Sequence, residues 1–178
     1  MKNVALALLA VTVFLSPGCM GREAVAPVQA ATEARAELID AGGRVLARAL
    51  AREEGSRLII NLEAEELPPG TYGAHLHAVG RCDPPGFESA GPHWNPTERR
   101  HGSQNPQGRH LGDLPNLLVG ADGQGSFEFT ISGAALSGRP SGLLDRDGSA
   151  LVIHAAPDDY RTDPSGNSGA RIACGAFR

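Results

Sequence analysis

The sequence predicts an all-β domain, a sandwich or barrel, and three observations carry that prediction. Leu58, Ile60 and Leu62 alternate with Arg57, Asn61 and Glu63, and Phe127, Phe129 and Ile131 alternate with Ser126, Glu128 and Thr130. A period of two is the mark of a half-buried strand. Turn signals punctuate the chain at Gly42-Gly43, Glu54-Gly55-Ser56, Pro68-Pro69-Gly70, Asp122-Gly123 and Asp147-Gly148. The runs between them are short and evenly spaced, as sandwiches and barrels require.

Taken in order, eight strands are expected near 34–40, 44–52, 57–64, 71–79, 115–120, 125–132, 149–155 and 170–176. The first two flank Gly42-Gly43. Ala, Leu and Arg between Ala36 and Ala51 also suit a helix, and the glycine pair argues against it. The third is the alternating run at Leu58, spoiled only by Ile59 on its polar side. The fourth follows the Pro68-Pro69-Gly70 turn. The fifth and sixth flank Asp122-Gly123. The seventh holds Leu151-Val-Ile-His154, an apolar run that reads as a buried strand, and the eighth closes the chain. No internal repeat is visible. Two long segments break the rhythm, 80–114 and 155–169, and structureless connections of that length in a compact domain usually carry function.

The domain does not begin at residue 1. Lys2 supplies a positive start, and Val4 to Leu15 is apolar except for Thr12. That run is shorter than the roughly 20 residues a membrane span needs and suits the core of a signal peptide. Leu15-Ser-Pro-Gly-Cys19 follows, and a cysteine directly after glycine at this place resembles a bacterial lipoprotein signal. It departs from that pattern in carrying Leu15 and Ser16 four and three residues before the cysteine. Residues 1–19 are therefore expected to be a signal, with Cys19 as lipid anchor or with ordinary cleavage near Gly18. Residues 20–33 read as a flexible tether, and 34–178 as the domain. The three cysteines are an odd count in a chain bound for an oxidising compartment.

Charge excludes one class. Without residues 1–19 the chain keeps fifteen arginines against twenty acidic residues, a net of −5, with no basic run. A nucleic-acid partner is not expected.

The histidines carry the chemistry. There are six, and all fall into one pattern. His75 and His77 are two apart on an expected strand, so both face one side. His93, His101, His110 and Asp113 fall within the first long segment, and His154 ends the buried run. Three neutral nitrogens and a carboxylate describe a closed tetrahedral zinc site, and three strand histidines suit copper. A lone His154 could equally be a core histidine, and the loop histidines could be incidental to a solvated loop. A zinc hydrolase is a competing reading, but Val79 and Gly80 stand where its His-x-His-x-Asp-His pattern needs Asp and His.

At Gly73-Ala-His-Leu-His77, Ala90-Gly-Pro-His-Trp-Asn-Pro96, His110-Leu-Gly-Asp-Leu-Pro115, Leu151-Val-Ile-His154 and Gly169-Ala-Arg-Ile-Ala-Cys-Gly175 the chain resembles the copper/zinc superoxide dismutase family. The resemblance implies a Greek-key, eight-stranded sandwich or flattened barrel with two functional loops. It implies copper on His75, His77, His93 and His154, and zinc on His93, His101, His110 and Asp113, with His93 shared. It further implies that Asp158 links a copper histidine to a zinc histidine, that Cys82 and Cys174 form a disulfide, and that Arg171 receives the anion. The reaction implied is dismutation of superoxide to oxygen and hydrogen peroxide in the periplasm or cell envelope. The alternative is a non-enzymatic copper and zinc buffer or delivery module on the same fold.

Three departures from the family bear on this. Ala78 stands where the family often has Glu. Segment 155–169 has no lysine and only Arg161 as a cation, which weakens any long-range steering. The stretch from Cys82 to His93 is longer than in eukaryotic members and leaves a homodimer and a monomer both open.

Overall fold

Period two in the sequence becomes period two in burial. In the computed structural model, which describes residues 32–138 and 141–178, Ala34, Ala36 and Leu38 point inward while Glu33, Arg35 and Glu37 point out. The strands are β1 (Glu33–Ile39), β2 (Val45–Glu54), β3 (Arg57–Ala64), β4 (Gly70–Tyr72), β5 (Ala74–His77), β6 (Leu117–Val119), β7 (Gly125–Ser132), β8 (Ala150–His154) and β9 (Arg171–Ala176). A single 3-10 turn, Glu88–Ala90, interrupts the first long loop. No α-helix occurs among the described residues, so the helical alternative for 36–51 falls to the β1–β2 hairpin.

Seven strands form one antiparallel sheet in the order β5-β8-β9-β1-β2-β3-β7, and β4 pairs with β6. The connection β7–β8 passes between opposite ends of the seven-stranded sheet, and the chain travels from β3 to β5 at the far edge by way of β4 in the small sheet, the expected Greek-key crossing. The sheet curls until Leu76 at one edge and Ile131 at the other share a core with Leu117 and Val119 of β6. Ile59, the residue out of phase, lies on the other face between Arg52 and Thr130.

Among the described residues nine strands stand where eight were expected, because the run expected at 71–79 divides at Gly73. The Gly73 N–H donates to Ala156 O and its carbonyl accepts from His154 N–H, both at 2.8 Å. A Cβ there would stand 2.8 Å from Ser168 Cβ. The chain is pinched between loop and strand, and it changes partner, from β6 before the glycine to β8 after it. Residues 78 and 79 leave the sheet to bond Pro92 O and Ala90 O in the first loop. A third long connection, 133–149, was not singled out in the sequence. It plugs the core with Leu136 and Leu143, and Leu136 N–H donates to Glu53 on β2.

β8 is buried on both faces, which is why its sequence is apolar up to His154. Leu151 and Ile153 face the main core. Ala150 and Val152 face a second cluster made with Phe87, Ala90 and Cys174. The Cys82–Cys174 disulfide, Cα–Cα 5.6 Å, fastens the first loop over that outer face. The candidate site side chains collect on this loop-covered face.

Candidate metal centre

β5 alternates as its sequence requires. Ala74 and Leu76 enter the core, and His75 and His77 turn to the outer face beneath the first loop, fully buried. In β8 the same alternation puts His154 on the outer side, opposite Arg171 of β9. The loop is held against β5 by backbone bonds. Trp94 N–H donates to Leu76 O (2.8 Å), Leu76 N–H to Gly112 O (2.9 Å) and Gly112 N–H to Trp94 O (2.9 Å). This small ladder carries His93 and Asp113 to the edge of the sheet, beside the strand histidines.

The side chains form two adjoining groups. His75, His77, His93 and His154 each offer a ring nitrogen within 4.8 Å of the others. The nitrogens His75 Nδ1, His77 Nε2, His93 Nε2 and His154 Nε2 are buried and have no hydrogen-bond partner in the protein. Leaving one such atom unpaired costs about 1–3 kcal/mol, so four together call for a ligand that takes lone pairs. The opposite nitrogens are all held. His75 Nε2 donates to Asp158 Oδ2 (2.9 Å), His77 Nδ1 to Gly91 O (2.8 Å) and His154 Nδ1 to Gly169 O (3.2 Å). Because those partners only accept, the ring protons must sit there and the free nitrogens carry lone pairs.

The second group closes on one oxygen. His93 Nδ1, His101 Nδ1 and His110 Nδ1 lie 3.0, 3.0 and 3.1 Å from Asp113 Oδ1, and His93 Nδ1 lies 3.4 Å from His110 Nδ1. A tetrahedral site with bonds of about 2.0–2.1 Å has edges of about 3.3–3.4 Å, close to these spacings. Asp113 Oδ2 is turned away and accepts from Gly102 N–H (2.9 Å) and His110 N–H (3.0 Å). His93 therefore offers Nδ1 to one group and Nε2 to the other.

Electrostatics sorts the groups in the same way. Burial pulls His75 down to about 3 and His154 to about 4. It also holds His77 well below the ordinary value and lowers His93. All four are neutral at neutral pH. Burial would raise Asp113 and Asp158, but hydrogen bonds outweigh it and hold both carboxyls below the usual range. The donors are His101, His110 and His93 for Asp113, and His101 and His75 for Asp158. Burial would lower His101, yet the two carboxylates that it bridges push it up to about 9. Asp158 accepts from His75 Nε2 with one oxygen and from His101 Nε2 with the other, at 2.9 Å each.

Arg171 stands at the mouth. Its Nη1 donates to Phe87 O (2.7 Å) and its Nη2 to Gly91 O (2.8 Å). Phe87 holds a left-handed φ of 58° to present that carbonyl. Gly91 O also accepts from His77, so one carbonyl fixes both a histidine and the arginine. A cleft of about 700 Å³ opens onto His77, His93, His154 and Arg171, with Asp145 on its wall. Arg161 donates to Gln104 instead.

Every expected site residue from His75 to Cys174 is thus brought to one face of the sheet. Cys19 lies outside the described residues. The sequence reading missed the carbonyls of Phe87 and Gly91, which carry no side-chain signature. It also missed Asn116, whose side chain pairs with the Asp158 backbone at 2.8 and 2.9 Å; its place three residues after Asp113 was the available signal.

Comparisons agree with the geometry. The family model described as copper/zinc superoxide dismutase matches residues 42–177. "Superoxide dismutase [Cu-Zn] 2" of Aquifex aeolicus is 43% identical over 150 residues, covering 82% of this chain and 86% of that protein. "Superoxide dismutase [Cu-Zn]" of Caulobacter vibrioides is 43% identical over 125 residues, covering 68% of this chain and 71% of that one. The crystal structure of a superoxide dismutase-like protein from Bacillus subtilis superposes with a TM-score of 0.75 at 43% identity, over 80% of this chain and 96% of that one. A curled antiparallel sheet with a histidine-lined metal centre under its loops defines a metalloprotein of the sandwich class. The chain belongs to the copper/zinc superoxide dismutase family. That membership supports superoxide dismutation, and the histidine clusters fit copper and zinc: His75, His77, His93 and His154 in one, and His93, His101 and Asp113 in the other, with His75 and His110 both close to it.

Proposed function

We propose that the chain dismutates superoxide at a copper held by His75, His77, His93 and His154, next to a zinc held by His93, His101, His110 and Asp113. The observation that carries this is the set of four orphaned nitrogens in one cage, each on a ring whose other nitrogen is already committed. Bound copper would supply one-electron redox chemistry, and zinc, which has none, a fixed positive charge.

The protein's own groups do the rest. Arg171 spends two of its five donors on carbonyls and keeps the others for the incoming anion. The carbonyl tethers hold the guanidinium at the mouth, so attraction is local in a chain of net negative charge. His93 can hold a proton at Nε2 while Nδ1 stays beside Asp113. It can pass that proton to the second superoxide, with the other proton coming from solvent, so that two anions and two protons give one oxygen and one hydrogen peroxide. Asp158 keeps His75 and His101 in register through opposite oxygens.

The same reading places the enzyme in the cell envelope, exported by residues 1–19 and tethered through a lipid on Cys19, with the domain at 34–178. A metal buffer on this fold would need no doubly tethered arginine at the cleft mouth. Arg171→Ala in the metal-loaded protein separates the two. Superoxide removal should fall about tenfold or more, Arg171→Lys should fall less, and both should keep their copper and zinc. An alanine variant with full metal and undiminished activity would favour the buffer.

A further inference from the structure

We propose that Tyr160 is a positioning residue for the metal centre, clamping Asp158 between the two long loops and thereby fixing the histidines that Asp158 holds; this rests on the metal sites proposed above. Tyr160 meets its surroundings at three polar points. Its N–H donates to Asp158 Oδ1 (2.7 Å), the oxygen that also accepts from His101 Nε2. Its carbonyl accepts from Gln104 N–H (3.0 Å), on the first loop beside His101. Its hydroxyl accepts from Asn116 N–H (2.8 Å). Asn116 in turn grips the Asp158 backbone with both ends of its amide. Tyr160 and Asn116 therefore form a closed clasp around Asp158, with one contact reaching the first loop at Gln104 and another reaching Asn116 just before β6.

The backbone argues that the side chain matters. Tyr160 has a φ of 63°, a left-handed conformation that costs free energy for any residue but glycine. Glycine would take that conformation without strain but would leave Asn116 N–H without its acceptor. The fit is close on the other side as well, since a Cβ at Gly102 would collide with Tyr160 O. Removing the hydroxyl should free the Asn116 segment, loosen Asp158, and let the His101 and His75 rings drift from the orientations that Asp158 fixes. Zinc should feel this first, because the clasp holds the Asp158 oxygen that orients the His101 ring and bonds the loop at Gln104, three residues beyond it.

The test is Tyr160→Phe in the copper- and zinc-loaded protein, with Tyr72→Phe as control. Tyr72 is the chain's other tyrosine, and its hydroxyl donates to Pro68 O in the turn before β4. Zinc release to excess chelator should quicken about tenfold in Tyr160→Phe, the low end for groups that orient metal ligands. The visible bands of cobalt placed in the zinc site should shift. The control should match wild type in both. Release within about twofold of wild type, or equal acceleration in the control, would overturn the clasp. Should the variant not fold, hydrogen exchange of the wild-type holoprotein decides: the Asn116 amide should be slow, and an unprotected one overturns the proposal. Wild-type protein that takes up no zinc would overturn the metal assignment and the clasp together. Bound zinc with normal release from Tyr160→Phe would overturn the clasp alone.

Discussion

Each strand histidine in this protein has one nitrogen committed and one free, and the committed partner is always an acceptor. That division makes a lone-pair cage out of side chains that would otherwise be costly to bury. It also sets how the metal-free protein responds to pH. Unfolded histidines titrate near 6.5, whereas folded His75 and His154 sit near 3 and 4. Between those values the unfolded chain binds more protons, so stability falls as pH falls below 6.5. Asp113 and Asp158, held low when folded, act in the same direction, their contribution complete above the unfolded carboxyl value and lost in acid. His101, pushed up to about 9, works oppositely: its stabilisation is whole below 6.5 and lost as pH rises through about 9. The metal-free protein should therefore be most stable near pH 6.5, with its urea midpoint dropping on both sides. A midpoint still climbing between pH 7 and 9 would contradict these assignments. The candidate ligands stood out in the sequence because histidine is scarce here and spaced like metal ligands. The carbonyls of Phe87 and Gly91 did not, because any residue supplies a carbonyl and only the folded loop aims it.

Among the elements, strands with one wet face announced themselves. β1, β3 and β7 alternate because one side meets the core and the other meets water or the outer face. β8 was recognised only as buried, since both its faces are covered and no alternation survives. The division of the fourth expected strand at Gly73 was invisible, because it comes from a pinch between Ala156, His154 and Ser168, all distant in sequence. The connection 133–149 passed for ordinary loop, although Leu136 and Leu143 seat in the core. The first long loop seats Phe87 and Ala90 in the second cluster and Trp94 and Leu114 in the main core, and the Cys82–Cys174 bond ties the start of the loop to β9. Replacing both cysteines by serine should cost about 2–5 kcal/mol in denaturant unfolding. Activity should fall further than metal content, because the loop carbonyls that hold Arg171 go slack. Unchanged stability in the double variant would show that the loop is held by its backbone ladder instead.

For the whole molecule, the sheet is a frame that brings two loops and one strand edge together under a disulfide. The family, the fold and the metals were legible at this scale because the motif order runs the length of the domain. Residues 1–31 lie outside the described structure, and no helix among the described residues is long and apolar enough to cross a membrane. The envelope tether is tested by Cys19→Ser, which should move the protein from the membrane fraction to the soluble fraction without loss of specific activity. Wild type found soluble with an unmodified start would point to ordinary cleavage near Gly18. The central claim, two metals sharing His93, is tested most directly by elemental analysis of the purified protein at metal saturation. It predicts one copper and one zinc per chain, and saturation at a single metal per chain would contradict it.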